Sequence, residues 1–117
     1  MAISPSMNGR QKEVYEARAR VIKALAHPAR LLIVDELAKG PMCVMDIRDK
    51  VGSDLSTVSK HLSVLKNAGV VADEKRGVQV FYRLHCPCVT DFFRCAESVL
   101  QINAREQVRV AGKRGRA

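Results

Sequence analysis

Cys86, Pro87 and Cys88 are consecutive and Cys95 follows, so three of the four cysteines of this 117-residue chain fall within ten positions. Thiolate sulfur is a soft donor, and three thiolates suit trivalent arsenic or antimony, while Cd, Zn or Pb would recruit a fourth ligand such as His85. A buried thiol also packs as a small hydrophobe, but Cys-Pro-Cys beside a third cysteine is a poor pattern for core packing. Spacing constrains the site. One unbroken helix from Cys88 to Cys95 would separate their Cα atoms by about 10.5 Å along the axis, too far for both sulfurs to reach one ion at about 2.3 Å. Either the helix begins after Cys88, with Thr90 or Asp91 as its cap, or Cys95 comes from a second subunit. Pro87 favours the first arrangement, because the residue before a proline is held extended. The same thiols also suit a redox device in which Cys95 forms a disulfide or polysulfide bridge with Cys86 or Cys88.

A thiol enzyme would use these residues differently. Cys86 and Cys88 form a Cys-x-Cys pair without the Cys-x-x-Cys spacing and βαβ setting of a thioredoxin-like centre, and no Gly-rich phosphate loop accompanies them. The reading is therefore a non-enzymatic sensor, and the elements before the cysteines must say what is sensed for.

Immediately upstream, Leu55, Val58, Leu62 and Leu65 recur at helical spacing, Ser53 or Asp54 stands where an N-cap is needed, and Gly69 stands where a left-handed C-cap is needed. At roughly 100° per residue, Ser56, Thr57 and Lys60 lie opposite the apolar stripe, with His61 and Ser63 on its flanks. Hydroxyls, an ammonium and an imidazole suit contacts to base edges and phosphates. After Gly69, Val78, Val80, Tyr82 and Leu84 alternate with Gln79, Phe81 and Arg83 as in a half-buried strand, and Lys75-Arg76-Gly77 predicts a cationic tight turn before it. A helix of this kind followed by a basic hairpin is the order of a winged helix. The expected DNA contacts are Ser56, Thr57, Ser59, Lys60 and His61 on the helix and Lys75, Arg76 and Gln79 on the wing.

Three segments carry a resemblance to the ArsR/SmtB metalloregulatory repressors: Leu25 to Leu37 (LAHPARLLIVDEL), Thr57-Val58-Ser59-Lys60-His61-Leu62 with Leu65 and Ala68-Gly69, and Val80-Phe81-Tyr82-Arg83-Leu84. The similarity covers roughly residues 20 to 84 and implies a homodimer, joined through its first and last helices, that binds a pseudo-palindromic double-stranded operator and releases it when an inducer is bound. Arsenic-responsive members begin the third helix with Leu-Cys-Val-Cys-Asp-Leu-Cys, whereas this chain has Met42-Cys43-Val44-Met45-Asp46-Ile47-Arg48. A thioether and a guanidinium do not replace two thiolates, so Cys43 reads as a helix-terminal or core residue rather than a ligand. Members with a Zn site on the last helix use a His/Asp/Glu set, and here that helix offers Asp91 and Glu97 without a histidine. Cys86, Cys88 and Cys95 remain as the inducer ligands, with trivalent arsenic or antimony as the leading ion.

The rest of the chain fits this frame. Its length suits one domain, 47% apolar content suffices for a modest core, and a formal charge of +8 favours a polyanionic partner. A general polycation binding DNA without sequence preference is the simpler alternative. No apolar run approaches the length of a membrane span and the amino terminus lacks a secretory core, which leads to a cytoplasmic expectation with no membrane partner. Residues 1–9 are expected to form a disordered tail, 10–108 the DNA-binding and dimerisation domain, and 109–117 a basic disordered tail. Within the domain, helices are predicted over about 10–26 with Val14, Ala17, Val21 and Leu25 on one face, from Pro28 to near Lys39, over 44–51 with Val44, Ile47 and Val51 inward, and from Val89 to about Val108. The fold class is mainly α with a small β-hairpin wing, a winged helix-turn-helix.

Overall fold

The computed structural model of the chain describes residues 7–115. Its elements run α1 (Gly9–Leu25), α2 (Pro28–Leu37), β1 (Met42–Cys43), α3 (Val44–Val51), α4 (Leu55–Asn67), β2 (Val71–Arg76), β3 (Gln79–Leu84), a 3₁₀ turn (Pro87–Val89) and α5 (Thr90–Gly115). Two compact units divide the chain, Met1–Cys86 and Pro87–Ala117.

Local chemistry sets the helix boundaries. Asn8 caps α1 through a reciprocal box: its Oδ1 accepts from the Gln11 amide at 2.9 Å, and Gln11 Oε1 accepts from the Asn8 amide at 3.1 Å. His27 caps α2, its Nδ1 accepting from Ala29 N at 3.0 Å, and Pro28 at the first helical position forfeits no hydrogen bond. Gly52 ends α3 in the left-handed region at φ 77°, and its amide returns to Arg48 O at 2.9 Å.

The core of the first unit lies between α2, α3 and α4. Ile33 and Val34 of α2, Ile47 of α3 and Val58, Leu62 and Leu65 of α4 are the largest fully buried side chains, joined by Ala24, Leu25, Leu37, Cys43, Val70 and Val71. The three strands form one antiparallel sheet in the order β1-β3-β2. Met42 and Cys43 pair with Tyr82 and Phe81, and Val71 to Arg76 pair with Leu84 to Gln79.

Several expectations are corrected. The wing turn is not Lys75-Arg76-Gly77: Arg76 pairs with Gln79, so the two-residue loop is Gly77-Val78, and Lys75 and Arg76 belong to β2. Gly77 has φ 62° while no non-glycine residue among the described residues has positive φ, the signature of a type II′ hairpin turn. Val78, expected on the inward face, is 98% exposed at that tip. On α4, Leu55 is 41% exposed because it is the first helical residue, beyond the end of the packed stripe. In the single chain Val14 of α1 is exposed, and burial in that helix is confined to Ala24 and Leu25 in the last turn. Strand β1 carries no signal of its own, being two residues long and held by β3 alone.

The last helix continues to Gly115, where a disordered tail was expected from residue 109. Its carboxy-terminal turns contain Arg109 and Glu106 joined at 2.8 Å, an i,i+3 pair that favours helix over coil. Of the expected 1–9 tail, residues 1–6 lie outside the described residues, and Gly9 is already helical. Residues 116–117 likewise lie outside them. No helix among the described residues is long and apolar enough to cross a membrane.

Leu62 is fully buried and Leu55 is not. Leu62→Ala should therefore lower unfolding free energy in urea titrations by about 3 kcal/mol, against less than about 1 kcal/mol for Leu55→Ala.

Candidate nucleic-acid interface

Helix α4 is fixed at both ends. At its start Asp54 Oδ1 accepts from the Thr57 amide at 2.7 Å, and hydrogen bonds from the Thr57 amide and hydroxyl, followed by the charge of Lys60, hold the Asp54 carboxyl below its ordinary value. At its end Gly69, at φ 82°, donates to Lys66 O at 3.0 Å and Val70 N donates to Leu65 O at 2.9 Å, the paired bonds of a Schellman stop. With Val58, Leu62 and Leu65 buried beneath, Ser56, Thr57, Ser59 and Lys60 stand exposed on the outer face.

The wing is anchored to this helix rather than merely following it. Lys66 Nζ lies 3.0 Å from Asp73 Oδ2, tying the last turn of α4 to β2, and Tyr82 pairs with Asp73 across the hairpin. Burial, then the Asp73 charge, raises the Tyr82 hydroxyl above its ordinary pKa. Periodicity missed the Lys66–Asp73 pair because the two residues lie on different elements; opposite charges flanking a glycine stop were its only signal. Lys75, Arg76 and Gln79 are exposed toward the tip of the hairpin. Arg76 spans Glu74 at 3.3 Å and lies over the Phe81 ring at 4.8 Å, so its guanidinium is held by a stacking surface while its edge remains accessible.

Among the expected contacts, His61 is placed apart from the exposed set. Its ring lies 4.4 Å from that of His27, the α2 cap, and is half-buried. Burial, then the neighbouring His27 and Arg30, lowers its pKa. Position 61 lies three residues after Val58 and four before Leu65, both buried, which puts its side chain at the edge of the packed stripe.

The thiols are divided. Cys43 is 7% exposed, stands at the N-cap position of α3 without a side-chain capping bond, and pairs with Phe81 in the sheet, which fits the structural role expected for it. Cys86, Cys88 and Cys95 are exposed. Cys86 lies two residues beyond β3, Cys88 sits in the 3₁₀ turn, and Cys95 sits in the second turn of α5. The α-helix does begin after Cys88, but through a 3₁₀ turn in which Thr90 Oγ1 donates to Pro87 O at 3.0 Å, with Thr90 itself already helical. His85 is exposed, and its amide donates to Val70 O at 2.9 Å. Among the described residues no three His, Cys, Asp or Glu side chains are gathered so as to hold a metal ion.

A capped helix with a buried apolar face and an open polar one, followed by an anchored cationic hairpin, defines a winged helix-turn-helix protein. Residues 27–73 match the model of the family described as bacterial regulatory protein, arsR family. The chain is 44% identical over 71 residues to the helix-turn-helix transcriptional regulator MJ1325 of Methanocaldococcus jannaschii, covering 60% of this chain and 80% of that protein. It is 40% identical over 73 residues to the transcriptional repressor SmtB of Mycobacterium tuberculosis, covering 62% of this chain, and spans 54% of that relative's length. Among solved structures, the homodimeric winged helix-turn-helix DNA-binding domain of Mb0332 from Mycobacterium bovis superposes with a TM-score of 0.68 at 32% identity, covering 90% of this chain and 94% of that one. The chain belongs to the ArsR/SmtB family.

The His61 environment generates a pH test. Its pKa in the folded state lies below the ordinary 6.5, so the folded protein favours the neutral ring; stability is fully present above 6.5 and is lost as pH falls through and below that value. Thermal melts between about pH 7.5 and about pH 5.5 should show a falling midpoint, and His61→Gln should flatten that dependence.

Proposed function

We propose that this protein is a homodimeric, operator-binding transcriptional repressor that lets go of DNA when a thiophilic inducer occupies its cysteines. The observation that carries the DNA half is the exposed set Ser56, Thr57, Ser59 and Lys60 on α4, followed directly by the cationic hairpin with Lys75, Arg76 and Gln79. Side chains of α4 would enter a major groove and read base edges, while the wing would meet phosphates or the adjacent minor groove. His61 is a weaker member of this contact set, since its ring is occupied by His27. The naming of the relative SmtB as a repressor and of the Mb0332 domain as homodimeric supports the same reading here. So do the exposed apolar side chains Val14 and Ile22 of α1 and Phe92, Val99, Leu100 and Ile102 of α5, which a second copy would cover.

For the inducer half, three exposed thiols within ten residues support a soft ion, with trivalent arsenic or antimony ahead of Cd, Zn or Pb. Since the described residues hold no gathered set of three ligands, the reading requires that ligation itself draw the sulfurs together. Cys86 is two residues from the end of β3 and Cys88 precedes α5, so such a rearrangement would act on the wing and on the proposed dimer helix. Inducer and operator would then oppose one another reciprocally.

Two measurements separate the parts. Lys60→Ala should compress the affinity difference between operator and random duplex, whereas Arg76→Ala should weaken both alike and reduce the salt slope by about one; equal behaviour of the two variants would leave only a polycation. Arsenite titrated into the operator complex should release the DNA, and Cys95→Ser should abolish release with operator affinity intact. Release by Cd alone would reassign the ion, and release by polysulfide alone would make the same thiols a redox sensor.

A further inference from the structure

The first unit contains a cavity of about 550 Å3 whose walls come from α1 (Ala17, Arg20, Val21, Lys23, Ala24), α2 (Arg30) and the end of α4 (Val64, Asn67, Ala68). It uses none of the residues assigned above to DNA or to an inducer ion. Its composition is one-sided. The apolar lining is alanine and valine, no aromatic ring contributes, and the charged groups are three cations with no carboxylate among them. None of Arg20, Lys23 and Arg30 forms an ion pair with a described residue, although seven other lysines and arginines of the chain do.

Arg30 adds a second, independent observation: its Nε is buried and has no hydrogen-bond partner among the described residues. A desolvated guanidinium N–H without an acceptor is unfavourable, and a guanidinium presents its donors in a fork that matches a carboxylate. The end of α4 does not counter this field strongly, because the Val64, Leu65 and Lys66 carbonyls accept from Ala68, Val70 and Gly69 and are not left bare. The volume lies in the range of small-molecule sites, and an apolar wall with a few polar groups along it is the usual lining of such sites.

We propose that this cavity binds a small organic anion, a carboxylate on an aliphatic body, with the carboxylate held by Arg30 and Arg20 and the chain lying along Val21, Ala24 and Val64. Lys23 adds charge at the rim. The proposal stands apart from the repressor reading, since binding is measured on the protein without DNA or metal.

The test is titration of the ¹⁵N-labelled full chain with octanoate, octylamine and octanol, following the amides of Ala17, Ala24, Val64 and Ala68. Octanoate should shift these resonances saturably, octylamine should not, and octanol should bind roughly tenfold more weakly, as expected for loss of one charge-assisted hydrogen bond. Arg30→Gln and, on the more open rim, Arg20→Gln should each weaken octanoate by a similar factor; the second variant keeps the test decisive if the first fails to fold. Equal binding of all three probes, unchanged affinity in Arg20→Gln, shifts confined to α5, or amides that stay silent because a second copy covers the cavity would each overturn the proposal.

Discussion

Everything exposed on α4 depends on what the same helix buries. Val58, Leu62 and Leu65 have no solvent exposure, packed among Ile33 and Val34 of α2 and Ile47 of α3. Because side chains one to four residues apart on a helix are fixed in angle relative to one another, immobilising this stripe also immobilises Ser56, Thr57, Ser59 and Lys60 on the other side. The base-edge contact proposed for these side chains would need them held in register, and the core is what fixes their positions. The short turn through Gly52 to the Asp54 cap sets where the helix starts, so rotation and axial position are settled by different residues.

The wing inherits its position from the way α4 stops. The Schellman bonds at Gly69 and Val70 turn the chain back at once, Val70 O then receives the His85 amide from the far end of β3, and Lys66 grips Asp73. Both ends of the hairpin are thus held to the end of one helix. The tip has no such tie to the helix: Val78 stands fully in solvent, and Lys75 and Arg76 are held only within the hairpin, by their pairing with Val80 and Gln79 and by the Arg76 contacts to Glu74 and Phe81. That distribution leaves the proposed phosphate contacts of the wing open to solvent while the base of the hairpin stays tied to α4.

Much of this was readable from residues alone, and the limits follow from the physics. The α4 stripe, the Asp54 cap and the Gly69 stop each rest on a local rule, so the boundaries of α3 and α4 were recoverable nearly to the residue. Strand β1 was not, since two residues have no period and form a strand only because β3 lies beside them. Alternation places the wing turn too early in the chain because it counts Val78 as inward, whereas Gly77 in the left-handed region sets Val78 at the apex. The sequence ends α5 too early because a basic, glycine-containing end looks like coil, while the Glu106–Arg109 i,i+3 pair acts within the helix. A helical wheel groups His61 with the expected DNA contacts because it cannot reveal that His27 arrives from another element. The thiols were legible as a set, but convergence of sulfurs is a tertiary property and no spacing rule supplies it.

The strand order β1-β3-β2 has one more consequence. With β3 in the middle, β2 is an outer edge, carrying unpaired backbone donors and acceptors along one side. Such edges invite pairing with a neighbouring molecule, and proteins discourage it by crowding them with charge. Here β2 reads Val71-Ala72-Asp73-Glu74-Lys75-Arg76, four consecutive charged residues along most of its length, while the opposite edge, β1, is only two residues long. Two of these four charges, Lys75 and Arg76, are the proposed phosphate contacts, and all four discourage the sheet from growing, so replacing them with β-formers to tune affinity would trade away solubility.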